Sequence, residues 1–199
     1  MKERFLLVAV FSLLSAVLAP SASAGGPMQQ VSETTEKILA ILTDPALRDA
    51  SKAQEKRKLI RKAVDQRFDR EELSRRALGR HWARRTEEEK KAFIILFGEI
   101  LARTYLDRVE EYSGEQISYV GEAVDGDFAT VEARFLTAQK AEIPIFYRLR
   151  QKGESWMVYD ISIEGVSLVA NYRNQFQSIL GRRSYEELVR MLEEKIAEK

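Results

Sequence analysis

Apolar and polar residues alternate along consecutive segments in the second half of the chain. In "DFATVEARFL" (residues 127–136), alanine, valine and phenylalanine alternate with threonine, glutamate and arginine. "EIPIFYRLRQK" (142–152) repeats the alternation, and "SWMVYDISI" (155–163) is apolar on both sides. A period of two is typical of half-buried strands, and short loops favour antiparallel neighbours. The pattern predicts an antiparallel sheet with one apolar face.

A helical period dominates the rest of the chain, most clearly between Thr86 and Tyr112. Apolar residues recur there every three or four positions, at Phe93, Phe97, Ile100, Leu101, Tyr105 and Val109. Thr86 and Glu89 form a capping-box pattern at its start. Shorter helical segments lie on both sides, and the last two begin at Leu168 and Tyr185. The combination predicts an α+β fold with helices packed on one face of a curved sheet.

The long helix and the sheet both carry more apolar surface than a domain of this size needs for its core. Facing surfaces that fail to close on each other would line a pocket instead of filling it. Ordinary core packing explains the same periodicity, and on the pattern alone it is the simpler interpretation.

The first 24 residues have the pattern of a secretory signal peptide. Lys2 and Arg4 precede an uncharged apolar run (5–19), and Ala22 and Ala24 occupy the small-residue positions of a cleavage site. The run is shorter than the ~20 residues that span a bilayer, which makes a retained membrane anchor the weaker interpretation. We therefore expect export, and a mature domain of residues 25–199.

Composition excludes several functional classes. The chain has 32 basic and 31 acidic residues, and two of the basic and one of the acidic lie in the predicted signal peptide, so the mature domain has no net charge. This balance gives no electrostatic basis for binding nucleic acid. Without cysteine, the fold must rest on packing. His81 is the single histidine, and zinc-protease and phosphate-loop motifs are absent, so no catalytic set, metal site or cofactor is predicted.

Three segments together resemble the MlaC-type family, the toluene-tolerance auxiliary family of periplasmic phospholipid carriers. They are "FDREELSRRALGRHW" (68–82), "TEEEKKAFIILFGEILARTY" (86–105) and "WMVYDISIEGVSLVANYRNQF" (156–176). The resemblance covers nearly all of the mature chain in the same order, with a signal peptide ahead of it. The central strands and their loops are short by comparison.

The resemblance implies a nuclear-transport-factor-like α+β fold that encloses acyl chains between sheet and helices. It implies a monomeric, non-enzymatic periplasmic carrier with phospholipid as its transported ligand. Its partners would be an inner-membrane ABC transporter bearing a substrate-binding ring and an outer-membrane lipoprotein–porin complex, and its role would be to maintain outer-membrane lipid asymmetry. A hopanoid or other isoprenoid lipid is the alternative ligand. A periplasmic chaperone or scaffold with an apolar groove is the alternative from a different class.

We expect the lipid to contact the apolar faces of the long helix, the sheet and the helix after it. On and just before the long helix, the candidate lipid-binding residues are Trp82, Phe93, Phe97, Leu101, Tyr105 and Val109. On the sheet they are Val131, Phe135, Ile143, Ile145, Tyr147, Tyr159, Ile161 and Ile163. Beyond the last long strand they are Val166, Val169 and Tyr172.

Glu164 and Gly165 interrupt the apolar pattern between the last long strand and the helix that begins at Leu168. Gly165 allows a sharp turn, and Ser167 is predicted to cap the helix. Two roles fit Glu164: an anion near the N terminus of that helix, or a hydrogen-bond partner at the pocket rim, paired with Arg173.

Overall fold

The computed structural model describes residues 25–137 and 140–197, so the predicted signal peptide (1–24) lies outside it. The helices are α1 (Pro27–Thr43), α2 (Ala53–Asp65), α3 (Arg70–Leu78), α4 (Glu87–Glu110), α5 (Leu168–Leu180) and α6 (Tyr185–Ala197). The strands are β1 (Gln116–Asp125), β2 (Phe128–Leu136), β3 (Glu142–Lys152), β4 (Ser155–Ile163) and the short β5 (Val166–Ser167). Within the described ranges, no helix is both long enough and apolar enough to cross a membrane.

The strands form one curved antiparallel sheet in sequence order, β1 to β5, which confirms the predicted α+β class. Val131 pairs with Tyr147, and Ala129 pairs with Leu149, on the same face of the sheet. This register places the apolar positions of β2 and β3 together, as the alternating pattern requires. A bulge interrupts the pairing of β3 with β4. Arg148 pairs with Asp160 and Leu149 with Val158, so the residue between those two partners is unpaired.

The apolar residues separate into two clusters. The first joins α1 to the sheet and includes the buried side chains Val31, Ala129, Val131, Leu149, Trp156 and Val158. The second is made by α3 to α6 and contains Leu73, Leu78, Phe93, Phe97, Ile100, Tyr172, Phe176 and Leu188. Phe68, in the link between α2 and α3, packs against both clusters. The sheet and the long helix therefore belong to separate clusters, and Phe68 connects the two.

Two buried carboxylates, Asp69 and Glu72, connect the start of α3 to the sheet. Asp69 caps α3 by accepting a hydrogen bond from the backbone of Glu72, and it forms ion pairs of 2.6 and 2.8 Å with Arg150 and Lys152 of β3. The Asp69 backbone also donates to the carbonyl of Val158 in β4, at 2.8 Å. Glu72 in the first turn of α3 also pairs with Arg150, at 3.3 Å. Because the carboxylates of Asp69 and Glu72 are almost fully buried, they require these partners.

The helix ends follow the sequence signals in most places. Thr86 and Glu89 form the predicted capping box at the start of α4, which has 24 residues. Gly79 ends α3 in a left-handed conformation, with φ 55°. The first helix begins at Pro27, and proline is favoured at the first helical position because its missing N–H needs no partner there.

Candidate functional site

A cavity of about 490 Å³ lies where the two clusters meet. Helix α4 forms one long wall, α2 and the start of α3 form a second, and the β4–β5 edge with the first turns of α5 forms a third. Its volume is within the range of about 300–1,000 Å³ that is typical of small-molecule sites. Apolar side chains from all these elements dominate the lining, including Ile60, Val64, Phe97, Leu101, Tyr105 and Ile161.

The cavity is elongated along α4. Its lining extends from Ile94 to Val109, which at 1.5 Å per residue is a distance of about 22 Å. The hydrocarbon core of a bilayer is about 30 Å thick, so the acyl chains of one leaflet reach about 15 Å. The length of the lined wall is therefore sufficient for an acyl chain.

The few charged groups that face the cavity include one compensated pair. Asp65 at the end of α2 forms an ion pair with Arg70 at the start of α3. The guanidinium of Arg70 lies against Gly98 of α4, where an added Cβ would be only 3.3 Å from Nη1. Burial raises the pKa of the Tyr105 hydroxyl, which keeps that side chain neutral. The middle of the cavity thus presents little charge to a guest.

One end of the cavity has an apolar rim. Val109 at the end of α4 is 36% exposed, and Ile163 and Val166 are 45% and 64% exposed. The turn between the last two is tight, with Glu164 at φ 50° and Gly165 at φ 81°. Exposed valine and isoleucine side chains therefore border the apolar cavity at this end.

Seven of the 17 predicted residues line this cavity. They are Phe97, Leu101, Tyr105 and Val109 of α4, Ile161 and Ile163 of β4, and Val166 of β5. They come from the C-terminal two thirds of the long helix and from the sheet edge next to it, which are the parts that the sequence pattern placed face to face.

Five predicted sheet residues lie outside the lining: Val131, Phe135, Ile143, Ile145 and Tyr147. The sequence placed their face opposite α4, and this placement is wrong because α1 covers it. Val131 is fully buried in the cluster that contains Val31 of α1, and Tyr147 packs against the same cluster. The cavity therefore touches only the β4 end of the apolar face.

Four predicted helical residues also lie outside the lining, because they pack between helices: Trp82, Phe93, Val169 and Tyr172. Phe93 is fully buried, with its ring 5.8 Å from that of Phe176. Tyr172 meets the Phe97 ring edge-on at 4.9 Å, behind the cavity wall. Phe93 and Tyr172 are therefore part of the helical core.

Tyr159 lies on the other face of the sheet, so the expectation that it shares a face with Ile161 and Ile163 is wrong. It is the unpaired residue of the β4 bulge, and the bulge reverses the alternation at this point. Its ring packs edge-on against Phe128 at 6.2 Å and lies 4.0 Å below the Arg76 guanidinium.

The sequence pattern did not predict that α2 forms part of the cavity wall. Ile60 and Val64 line the cavity from this helix, and Phe68 follows it. The helical spacing of Ile60 and Val64 marked them as an apolar face, but nothing local to α2 shows which element that face meets.

The carboxylate at the start of α5 belongs to Asp160 and not to Glu164. Asp160 is buried and accepts hydrogen bonds from the Val169 backbone at 3.0 Å and from the Ser167 hydroxyl at 2.6 Å. Ser167 caps the helix, as predicted. The suggested pairing of Glu164 with Arg173 does not occur, because Arg173 donates to the carbonyl of Arg76 at 2.8 Å.

The lining has the chemistry of a binding site for hydrocarbon. Within the described residues, no group of three potential metal ligands occurs. His81 is outside the cavity lining, and partial burial together with the neighbouring arginines lowers its pKa. Fold and cavity together define an α+β domain with an elongated apolar cavity.

Comparisons with known proteins agree with this class. The family described as MlaC protein matches residues 32–194, so the chain belongs to the MlaC family. The intermembrane phospholipid transport system binding protein MlaC of Haemophilus influenzae is 24% identical over 124 residues, which are 60% of this chain and 58% of that protein. The match therefore spans less than two thirds of that curated relative.

A solved structure supports the same assignment. The phospholipid-binding protein of Ralstonia solanacearum, solved in complex with a phospholipid, is 26% identical to this chain. The superposition has a TM-score of 0.78 and covers 87% of this chain and 98% of the other.

Proposed function

We propose that this protein is a periplasmic carrier that holds the acyl chains of a phospholipid in the cavity along α4. It would shuttle lipid between the inner and outer membranes and so maintain outer-membrane lipid asymmetry. The observation that carries this proposal is the elongated apolar cavity of about 490 Å³, in a fold shared with a protein solved in complex with a phospholipid.

The energetics of lipid transfer support a carrier without catalytic groups. Two acyl chains contain roughly 30 methylenes, and at about 0.8 kcal/mol each their exposure to water costs on the order of 20 kcal/mol. An apolar cavity removes most of this cost. Transfer into and out of the protein then becomes nearly neutral, so docking to a partner can decide the direction of transfer.

Membership of the MlaC family, and a relative named as the binding protein of an intermembrane phospholipid transport system, support membrane transport partners. An inner-membrane ABC transporter with a substrate-binding ring and an outer-membrane lipoprotein–porin complex would exchange lipid with this protein. The apolar rim at Val109, Ile163 and Val166 is the part of the surface that would face such a partner during exchange.

Mass spectrometry of a solvent extract of the protein, purified from the periplasm, tests this function. We expect phospholipid in a fixed molar ratio to protein. A hopanoid in the extract would assign the protein to the alternative lipid class. An extract without lipid, together with binding of unfolded polypeptide, would support the chaperone alternative and contradict the proposal.

A further inference from the structure

A second, polar space adjoins the apolar cavity. It is a groove of about 740 Å³ between α2 and α4. Six charged residues line it: Arg57, Lys58 and Arg61 from α2, and Glu99, Arg103 and Asp107 from α4. Four of the six are basic, and Glu110 pairs with Arg57 beside the groove. Four cations therefore face three carboxylates, and the excess positive charge favours an anion over a cation.

The groove and the cavity share a border. Arg61, Ala102 and Leu106 line both spaces, so only these side chains lie between them. An arginine suits this place, because its aliphatic stem can face hydrocarbon while its guanidinium faces polar surroundings. A molecule with an apolar tail and a polar head fits this arrangement, with its tail in the cavity and its head in the groove.

The basic residues of the groove keep donors available. Arg57 reaches Asp107 and Glu110 through Nη2, and Arg61 reaches Glu99 through Nη2 at 2.7 Å. A guanidinium has five N–H donors, so the other donors of both groups remain available to a ligand. In the described part of the chain, Lys58 forms no ion pair.

We propose that this groove binds the phosphodiester head of the glycerophospholipid whose acyl chains occupy the cavity. Arg57, Lys58 and Arg61 would contact the phosphate oxygens, and Arg61 would stand where head and tails meet. This inference rests on the proposed function. Beside the exposed apolar rim, the described lining of the cavity offers a single cation, Arg108. Several converging donors bind a phosphate more strongly than one.

The test measures head-group preference independently of the amount of folded protein. The protein is incubated with vesicles containing equal amounts of dioleoylphosphatidylethanolamine and dioleoylglycerol, which share acyl chains but differ in the phosphate. Mass spectrometry then gives the ratio of the two lipids captured. Wild-type protein should favour the phospholipid. Lys58→Ala and Arg61→Met should each lower the ratio about tenfold, as loss of a hydrogen bond to a charged group predicts.

Arg108→Met is the matched control, because Arg108 lines the cavity but not the groove, and it should leave the ratio unchanged. The inference is overturned if Lys58→Ala and Arg61→Met both keep the wild-type ratio, or if Arg108→Met lowers it instead. Since Lys58 is exposed and unpaired in the described chain, its replacement does not endanger the fold. Capture of neither lipid by wild-type protein would instead contradict the proposed function.

Discussion

Leu101 lies in the middle of the α4 wall, where a guest would contact it most closely. Its side chain lines the cavity and also packs against the helical core. Replacement by asparagine places an amide where the account puts hydrocarbon. In the empty protein, water in the cavity can hydrate that amide, but a bound acyl chain removes this water.

The expected cost falls on the occupied state. A polar group held against hydrocarbon without a partner costs about 1–3 kcal/mol. Lost contact between the leucine side chain and the guest adds about 1 kcal/mol, for a total of about 2–4 kcal/mol. Phospholipid binding by Leu101→Asn should therefore be about 30- to 700-fold weaker than binding by the wild type.

The assay is a displacement titration with a fluorescent-acyl phospholipid, made on protein whose folding is verified by circular dichroism and thermal unfolding. Ile95→Asn is the control, because Ile95 lies on the same helix, is 70% exposed and is outside the cavity lining. It makes the same chemical change and should bind as the wild type does. If folded Leu101→Asn binds within threefold of the wild type, the assignment of the α4 wall is refuted.

Three further changes test the two cores and the turn. Leu149→Ala, in the fully buried sheet cluster, should destabilise the fold by about 2–5 kcal/mol in urea unfolding, and a loss below 1 kcal/mol would contradict the packing of α1 on the sheet. Burial alone would raise the pKa of Glu72, but hydrogen bonds from Arg75 and Arg76 outweigh it and lower the pKa from 4.5 to about 2. Between these two pKa values the unfolded chain binds more protons than the folded one. The stabilisation by Glu72 is therefore present above pH 4.5 and is lost as the pH falls towards 2. Glu72→Gln should flatten the dependence of the urea-unfolding free energy on pH between 4.5 and 2, and an unchanged slope would refute the role assigned to Glu72. Glu164→Gln should retain the full lipid content in mass spectrometry, since Glu164 is exposed in its turn, and a lipid-free variant would show that its charge matters.

Local sequence signals predicted the elements well, because each signal depends on neighbours along the chain. The alternation from residue 127 to 163 predicted the antiparallel strands, and the helical period with the box of Thr86 and Glu89 predicted α4. The cap at Ser167 also follows from local backbone chemistry.

The walls of the cavity depend on long-range choices that local patterns do not contain. The apolar sheet face around Val131 is equally suited to α1 or α4, and the structure gives it to α1. Tyr159 changes face because of a bulge, and no residue in "SWMVYDISI" signals where the extra residue falls. The apolar side of α2 needed a partner, but only the tertiary arrangement shows that it faces the cavity.

The central claim is that the space between α4 and the β4–β5 edge is occupied by the hydrocarbon of a guest. A crystal structure of the protein purified from the periplasm, without added lipid, tests this most directly. The account predicts continuous tubular electron density beside α4 along the lining from Ile94 to Val109. Side chains of the protein closing that space, with no room for an alkyl chain, would contradict it.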